Sequence, residues 1–255
     1  MGNYYNKKYF DSNIFQYDYE SIAKAVIDTY SPKTIIEFGC GNGDLSKAFY
    51  KYGVKVMAVD GFAEPDFSGQ PGIEFHKIDL NNPDKIKNFC NSLERKFDVA
   101  ICMEVAEHLK PEVSQSLIGT LTSVADVVIF SAAIPEQDGD GHINCQTRLF
   151  WHKLFEQNNF ALVDNIRSRI RDNMNVAVWY RLNTVDYVRV KQPLDIPQYQ
   201  LLVEKLIASE SNASSTFYYI NRRLEYKEKI LNLDIIKGSV KLRNFIKKSI
   251  GRKPV

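Results

Sequence analysis

From Lys33 to about Arg189, short apolar runs of strand length alternate with stretches whose apolar residues recur at helical spacing. That alternation is the signature of βαβ units, and a strand buried on both faces reads as an unbroken apolar run. Five strands are predicted at Thr34–Phe38, Val54–Asp60, Ile73–Ile78, Phe97–Met103 and Val127–Ala132. Helices are predicted at Ser21–Tyr30, Gly43–Tyr52, Pro83–Glu94, Glu112–Val124 and Arg148–Asn158, with Pro83 suited to a first helical turn. Two later runs, Ala161–Ile170 and Val176–Val188, have no obvious helix between them. Arg171-Asp172-Asn173 therefore reads as a hairpin turn joining an antiparallel pair. The predicted fold is α/β: a doubly wound, mainly parallel seven-stranded sheet closed by that hairpin.

Beyond Pro193 and Pro197 the pattern becomes helical alone. Leu201, Leu202, Leu206 and Ile207 mark one apolar face, and Ser211–Ser215 form a polar break. This places a boundary near residue 192, giving a sheet domain over 1–192 and a helical C-terminal extension over 193–255.

Candidate chemistry concentrates after the first strand. Ile35-Ile36-Glu37-Phe38-Gly39-Cys40-Gly41-Asn42-Gly43 is a buried-type strand ending in three alternating glycines that open a helix. Glycines serve where the backbone turns sharply and a ligand comes close, and a helix N-terminus offers free N–H groups. A dinucleotide fingerprint would place Gly or Ala sixth from Gly39; Asp44 stands there, and it would repel a pyrophosphate. The segment instead resembles motif I of class I S-adenosylmethionine-dependent methyltransferases, with Glu37, Gly39, Gly41 and Gly43 in place.

The resemblance extends over roughly residues 5–190 and implies a Rossmann-like fold that binds S-adenosylmethionine. It implies that Glu37, Gly39, Cys40 and Gly41 line the cofactor, and that Asp60, with Gly61 beside it, accepts the ribose hydroxyls. Asp79 would receive the adenine amino group, with Leu80 packed on the ring. Phe97–Glu104 resembles the fourth-strand motif, so Met103 and Glu104 would lie under the methionine part. The N-terminal Tyr5–Asp11 looks like the opening segment of small-molecule and glycan methyltransferases, or else is a hydrophobic lid on the sheet.

For the acceptor, a hydroxyl nucleophile needs a base, and four histidines titrate near neutrality. His76 and His152 sit inside elements and read as packing or surface residues. His108 and His142 follow the fourth and fifth strands, at the edge where open α/β sheets bind ligands. His142 is predicted to be the general base, with His108 and Glu107 shaping the same pocket. Glu104-Val105-Ala106-Glu107-His108 also resembles the divalent-metal motif of ubiquinone-pathway and small-RNA methyltransferases. On that alternative Glu104, Glu107, His108 and His142 hold the ion; the same string occurs in metal-independent relatives, and the reading without metal is carried forward. Gln146, Thr147, Arg148 and Trp151 either contact an acceptor or start the next helix.

Composition adds bounds. A net charge of +2 gives no domain-wide pull on nucleic acid, and Cys40, Cys90, Cys102 and Cys145 stand singly, as reduced thiols do. No run reaches the roughly 20 apolar residues of a membrane-spanning helix, and the polar start is unlike a signal peptide, so a cytoplasmic place is expected. Ile235–Val255 carries Lys237, Lys241, Arg243, Lys247, Lys248, Arg252 and Lys253 with no acid. That basic amphipathic tail suits peripheral contact with an anionic inner membrane face, or packing on the protein or on a second copy in a homo-oligomer. The expected activity is O-methylation of a sugar, glycan or small hydroxylated metabolite. A metal-assisted RNA 2′-O-methyltransferase and a non-catalytic cofactor-binding scaffold are the alternatives.

Overall fold

The computed structural model describes residues 17–232 apart from Arg95, Pro193 and Asp195, with side chains to Asn221 except that of Tyr219. The elements run α1 Tyr19–Tyr30, β1 Thr34–Phe38, α2 Asp44–Lys51, β2 Lys55–Asp60, β3 Ile73–Lys77, α3 Pro83–Ser92 and β4 Val99–Met103. After two 3-10 turns, Ala106–His108 and Pro111–Val113, come α4 Ser114–Val124, β5 Val127–Ser131, α5 Arg148–Gln157 and β6 Phe160–Leu162. Two short helices, α6 Asn165–Ile170 and α7 Val178–Asn183, precede β7 Val185–Arg189, and α8 spans Pro197–Asn232. The predicted Tyr5–Asp11 segment and the basic tail lie outside the described residues.

The seven strands form one sheet in the order β3-β2-β1-β4-β5-β7-β6. The first five are parallel, and β7 lies antiparallel between β5 and β6. The chain winds outward from β1 to β3, then crosses back to β4 on β1's other side. That reversal opens a crevice beyond the carboxyl ends of β1 and β4, where ligands of such sheets bind.

Alternation along the strands splits the core in two. Ile36, Phe38, Ala100, Cys102, Val128 and Phe130 face Leu117, Ile118 and Leu121 of α4 and Trp151 and Phe155 of α5. Ile35, Val99, Ile101 and Ile129 face the opposite layer, where Ile22 and Val26 of α1, Phe49 of α2 and Ile166 and Ile170 of α6 pack. Each fully buried aliphatic side chain contributes about 1.5–3 kcal/mol, so covering both faces is what fixes the continuous apolar strands in place.

The antiparallel pair exists, with Ala161 opposite Val188 and Leu162 opposite Tyr187, but residues 171–173 are no hairpin turn. The chain instead folds α6 and α7 between the two strands. Ile166 and Ile170 recur at helical spacing after Leu162, and buried Asp186 of β7 accepts the Asn165 and Ile166 N–H groups at 2.7 and 3.1 Å. A cap supplied from a later strand cannot be read locally.

The polar break at Ser211–Ser215 is likewise replaced by continuous helix. Ser215 Oγ donates to the Ser211 carbonyl at 2.8 Å and Thr216 Oγ1 to that of Asn212 at 2.9 Å. With their hydroxyls satisfied on the preceding turn, these residues stay helical while Ala213 and Phe217 bury against Ile134, Trp179 and Leu182. Among the described residues no helix is long and apolar enough to cross a membrane.

Candidate functional site

The glycine loop leaves β1 in left-handed backbone, with φ of 80° at Gly39, 53° at Gly41 and 77° at Gly43. At Gly39 a Cβ would run into the Val105 side chain, so glycine is required there twice over. Asp60, at the end of β2, ties this loop to its own. Its Oδ2 accepts the Gly41 N–H at 3.0 Å, and its Oδ1 accepts those of Phe62 and Ala63 at 2.8 Å. A carboxylate has about four acceptor positions, so three amides leave room for another donor.

Glu37 is buried and accepts a hydrogen bond from Ser46 Oγ; burial pushes its carboxyl up to about 8. Gly61 lies so close to β3 that a Cβ would come 2.7 Å from the Asp79 α-carbon. Asp79 Oδ1 accepts the Asn81 N–H at 2.9 Å, and Leu80 is buried beside it. Cys40, its thiol pushed up by burial, and Met103 complete a line of residues along one sheet edge.

Glu104, the residue after β4, has φ of 54° in spite of its Cβ, and its N–H donates to the Ser131 carbonyl at 3.0 Å. A non-glycine residue held there is strained, and such strain gathers at functional sites. Its carboxylate receives Gln137 Nε2 at 3.2 Å and Asn183 Nδ2 at 3.3 Å. Glu107 is fully buried, and neither carboxyl oxygen has a hydrogen bond of good geometry. Burial and the neighbouring charge of Glu104 push its carboxyl well above the usual range.

The loop after β5 brings His142 over His108, with ring centroids 4.8 Å apart at 72°. His108 Nδ1 lies 3.4 Å from the Gly141 carbonyl, and His142 Nδ1 lies 3.1 Å from that of Gln137. Burial lowers both imidazoles, His108 to about 4 with His142 adding to the effect, so both are neutral near pH 7. Ligand atoms of Glu107, His108 and His142 lie within 4.8 Å of one another. A buried carboxyl beside two neutral imidazoles fits a divalent cation chemically. Glu104 is instead engaged by the two amides.

The loop is pinned by the Ile143 and Asn144 N–H groups donating to the Glu107 carbonyl at 2.9 and 3.0 Å. Asn144 Nδ2 also donates to the Ala106 carbonyl at 3.1 Å and to Ser114 Oγ at 3.0 Å. Gln137, Asn144 and Asn183 were missed in the sequence because amides carry no motif, although Asn144 follows His142 closely. Tyr19 and Tyr180 were missed as well; their hydroxyls pair with each other and feel the charge of Glu37, with Glu104 acting on Tyr180 too.

Other candidates fall elsewhere. Thr147 caps α5 through the Phe150 N–H at 3.2 Å, Arg148 is buried with Nη2 on the Leu182 carbonyl at 2.8 Å, and Trp151 packs on Phe130. These three build the helix and its support. His152 is buried against Tyr187, and His76 bonds Glu74 at 2.8 Å.

Residues 15–128 match the family described as Methyltransferase domain. A ubiquinone biosynthesis O-methyltransferase of Actinobacillus pleuropneumoniae serotype 7 is 31% identical over 87 residues, covering 32% of this chain and 37% of that protein. The Haemophilus ducreyi enzyme of the same name is 31% identical over 87 residues, with the same shares of 32% and 37%. The chain thus spans little more than a third of the length of these curated relatives. Among solved structures, the 1,6-didemethyltoxoflavin-N1-methyltransferase of Burkholderia thailandensis aligns with a TM-score of 0.49 at 14% identity, over 72% of this chain and 82% of that one. The magnesium protoporphyrin IX methyltransferase of Synechocystis aligns with a TM-score of 0.48 at 22% identity, over 66% and 80%. Residues 15–128, which carry the glycine loop and the ends of β1 to β4, are thus similar to the methyltransferase-domain family, and they stand in a doubly wound, mainly parallel α/β sheet.

Proposed function

We propose that this protein transfers a methyl group from S-adenosylmethionine to a hydroxyl of a small acceptor, a sugar, glycan or hydroxylated metabolite. The observation that carries the reading is convergence: the glycine loop, Asp60, Asp79, Glu104 and the His108–His142 pair stand along one carboxyl edge of the sheet. Asp60 takes the ribose hydroxyls, Asp79 and Leu80 the adenine, and Glu37, Cys40, Met103 and Glu104 border the methionine part. The hydroxyl preference draws on the histidine pair and on relatives named as O-methyltransferases.

The sulfonium supplies a methyl carbon already activated for displacement, so the protein's part is alignment and proton removal. The Gly39–Gly43 loop and Asp60 hold the donor in line, while the pinned 137–144 loop holds His142 over the acceptor position. With the donor so held, His142 Nε2 would take the proton of the acceptor hydroxyl as that oxygen receives the methyl group. His142 is lowered by burial, which keeps it in its proton-accepting form.

A second reading is favoured by the Glu107, His108 and His142 cluster, which could hold a divalent cation. The ion would act as a Lewis acid on the acceptor oxygen. The two readings separate by experiment. Calorimetry is expected to give saturable heat with S-adenosylhomocysteine that Asp60→Ala abolishes; silence with it, together with binding of a dinucleotide, sinks the cofactor assignment. His142→Ala is expected to lower turnover by about 10²–10⁴ with cofactor affinity kept. Loss of activity with a chelator and its return with added divalent ion would select the metal reading.

A further inference from the structure

Gln137 is buried between the sheet and the acceptor loop, and it works in two directions. Its Nε2 donates to Glu104 Oε2 at 3.2 Å, and its Oε1 accepts from Asn183 Nδ2 at 2.8 Å. Asn183 Nδ2 also reaches Glu104 Oε1 at 3.3 Å. The orientation of both amides follows from Glu104, since a carboxylate only accepts and each amide must turn its NH2 toward it. Asn183 Oδ1 is left buried without a hydrogen bond, a cost accepted to aim both donors at one carboxylate.

In the other direction the main-chain carbonyl of Gln137 lies 3.1 Å from His142 Nδ1. A carbonyl cannot donate, so the bond to Gln137 needs the proton on Nδ1; the Cys145 thiol, whose Sγ lies 3.7 Å from Nδ1, then turns its S–H to the same carbonyl at 4.0 Å. In a neutral imidazole the lone pair then sits on Nε2.

We propose that Gln137 is a positioning residue that joins the two halves of the site. Its side chain locks to Glu104 at the cofactor edge, and its carbonyl fixes His142 as the Nδ1–H tautomer, presenting Nε2 to the acceptor. The inference rests on the function proposed above for what Nε2 does there, but the tautomer itself is independent of it.

The side chain matters because the backbone around it turns readily. Glu136 stands at φ 68°, Gly139 follows three residues on, and Gly141 has φ 75°. The Gln137 N–H is tied to the Ile134 carbonyl at 3.1 Å, but its own carbonyl is aimed by the side chain's two anchors. Without them the peptide can rotate, and His142 loses the acceptor that selects its tautomer.

The test reads the ring nitrogens and needs no acceptor. The full chain, labelled with 15N, is studied by long-range 1H–15N correlation, with His142 assigned by its loss in His142→Ala. The wild type is expected to show one tautomer, protonated at Nδ1. In Gln137→Met, which keeps the length and removes the amide, that single signature is expected to be lost to averaged shifts of both nitrogens. Protonation at Nε2 in the wild type, or an unchanged spectrum in Gln137→Met, overturns the proposal. Should Gln137→Met fail to fold, the wild-type tautomer still decides. Calorimetry with S-adenosylhomocysteine on the same samples keeps the questions apart, because absence of heat would sink the cofactor reading and leave the tautomer result standing.

Discussion

The α-carbon of Gly139 packs directly under the imidazole of His142, and a Cβ at that position would overlap the ring. Its φ is outside the left-handed region, so alanine is not excluded by backbone strain; what it would displace is His142. Gly139→Ala is therefore expected to keep the melting temperature and S-adenosylhomocysteine affinity near wild type while lowering turnover toward that of His142→Ala. Turnover at the wild-type level would mean that the placement of this ring is immaterial to catalysis. At this scale the sequence was legible where spacing is stereotyped. Glu37, the alternating glycines and Asp60 could be named because each sits at a fixed distance from a strand end. Gln137 and Asn183 could not, since they reach Glu104 from 33 and 79 residues away and nothing local marks an amide as its partner.

Among the elements, β1 to β5 were legible because strands buried on both faces leave unbroken apolar runs. α6 and α7 were not, because short helices are decided by caps and packing more than by pattern. The Asp186 carboxylate that starts α6 also accepts the Tyr30 hydroxyl, so α1, α6 and β7 meet at one buried acid. α8 shows the same dependence. Tyr199 and Leu206 enter the main core beside Phe155 and Tyr187, and farther along Asn221 Nδ2 bonds Asp138 Oδ2 at 3.0 Å in the acceptor loop. Leu206 is 1% exposed, and Leu206→Ala is expected to cost about 2–5 kcal/mol, read as a fall in the urea midpoint. A loss below about 0.5 kcal/mol would show that α8 contributes little to the sheet's core.

For the molecule as a whole, His152 predicts how stability responds to acid. It is buried, its Nδ1 has no hydrogen-bond partner, and burial lowers its pKa from the ordinary 6.5. The unfolded chain therefore binds a proton that the folded chain refuses, so stability is fully present above about 6.5 and is lost as pH falls below it. His108 and His142 are shifted the same way. Melting temperature is expected to fall from pH 8 to pH 5, and less steeply in His152→Leu; parallel curves for the two proteins would rule out His152 as a source of the slope.

The strand order carries a consequence for how the chain is made. β7, completed at Arg189, is an inner strand inserted between β5 and β6, both of which leave the ribosome before it. Until it arrives, β5 presents an open row of N–H and C=O groups, and β6 has no neighbour to hold it. A nascent chain in this state is a template for pairing with other copies. The interval between synthesis of residue 131 and residue 189 is thus the aggregation-prone window. Chains ended at Thr184 should collect in the insoluble fraction, and chains carried through α8 should not.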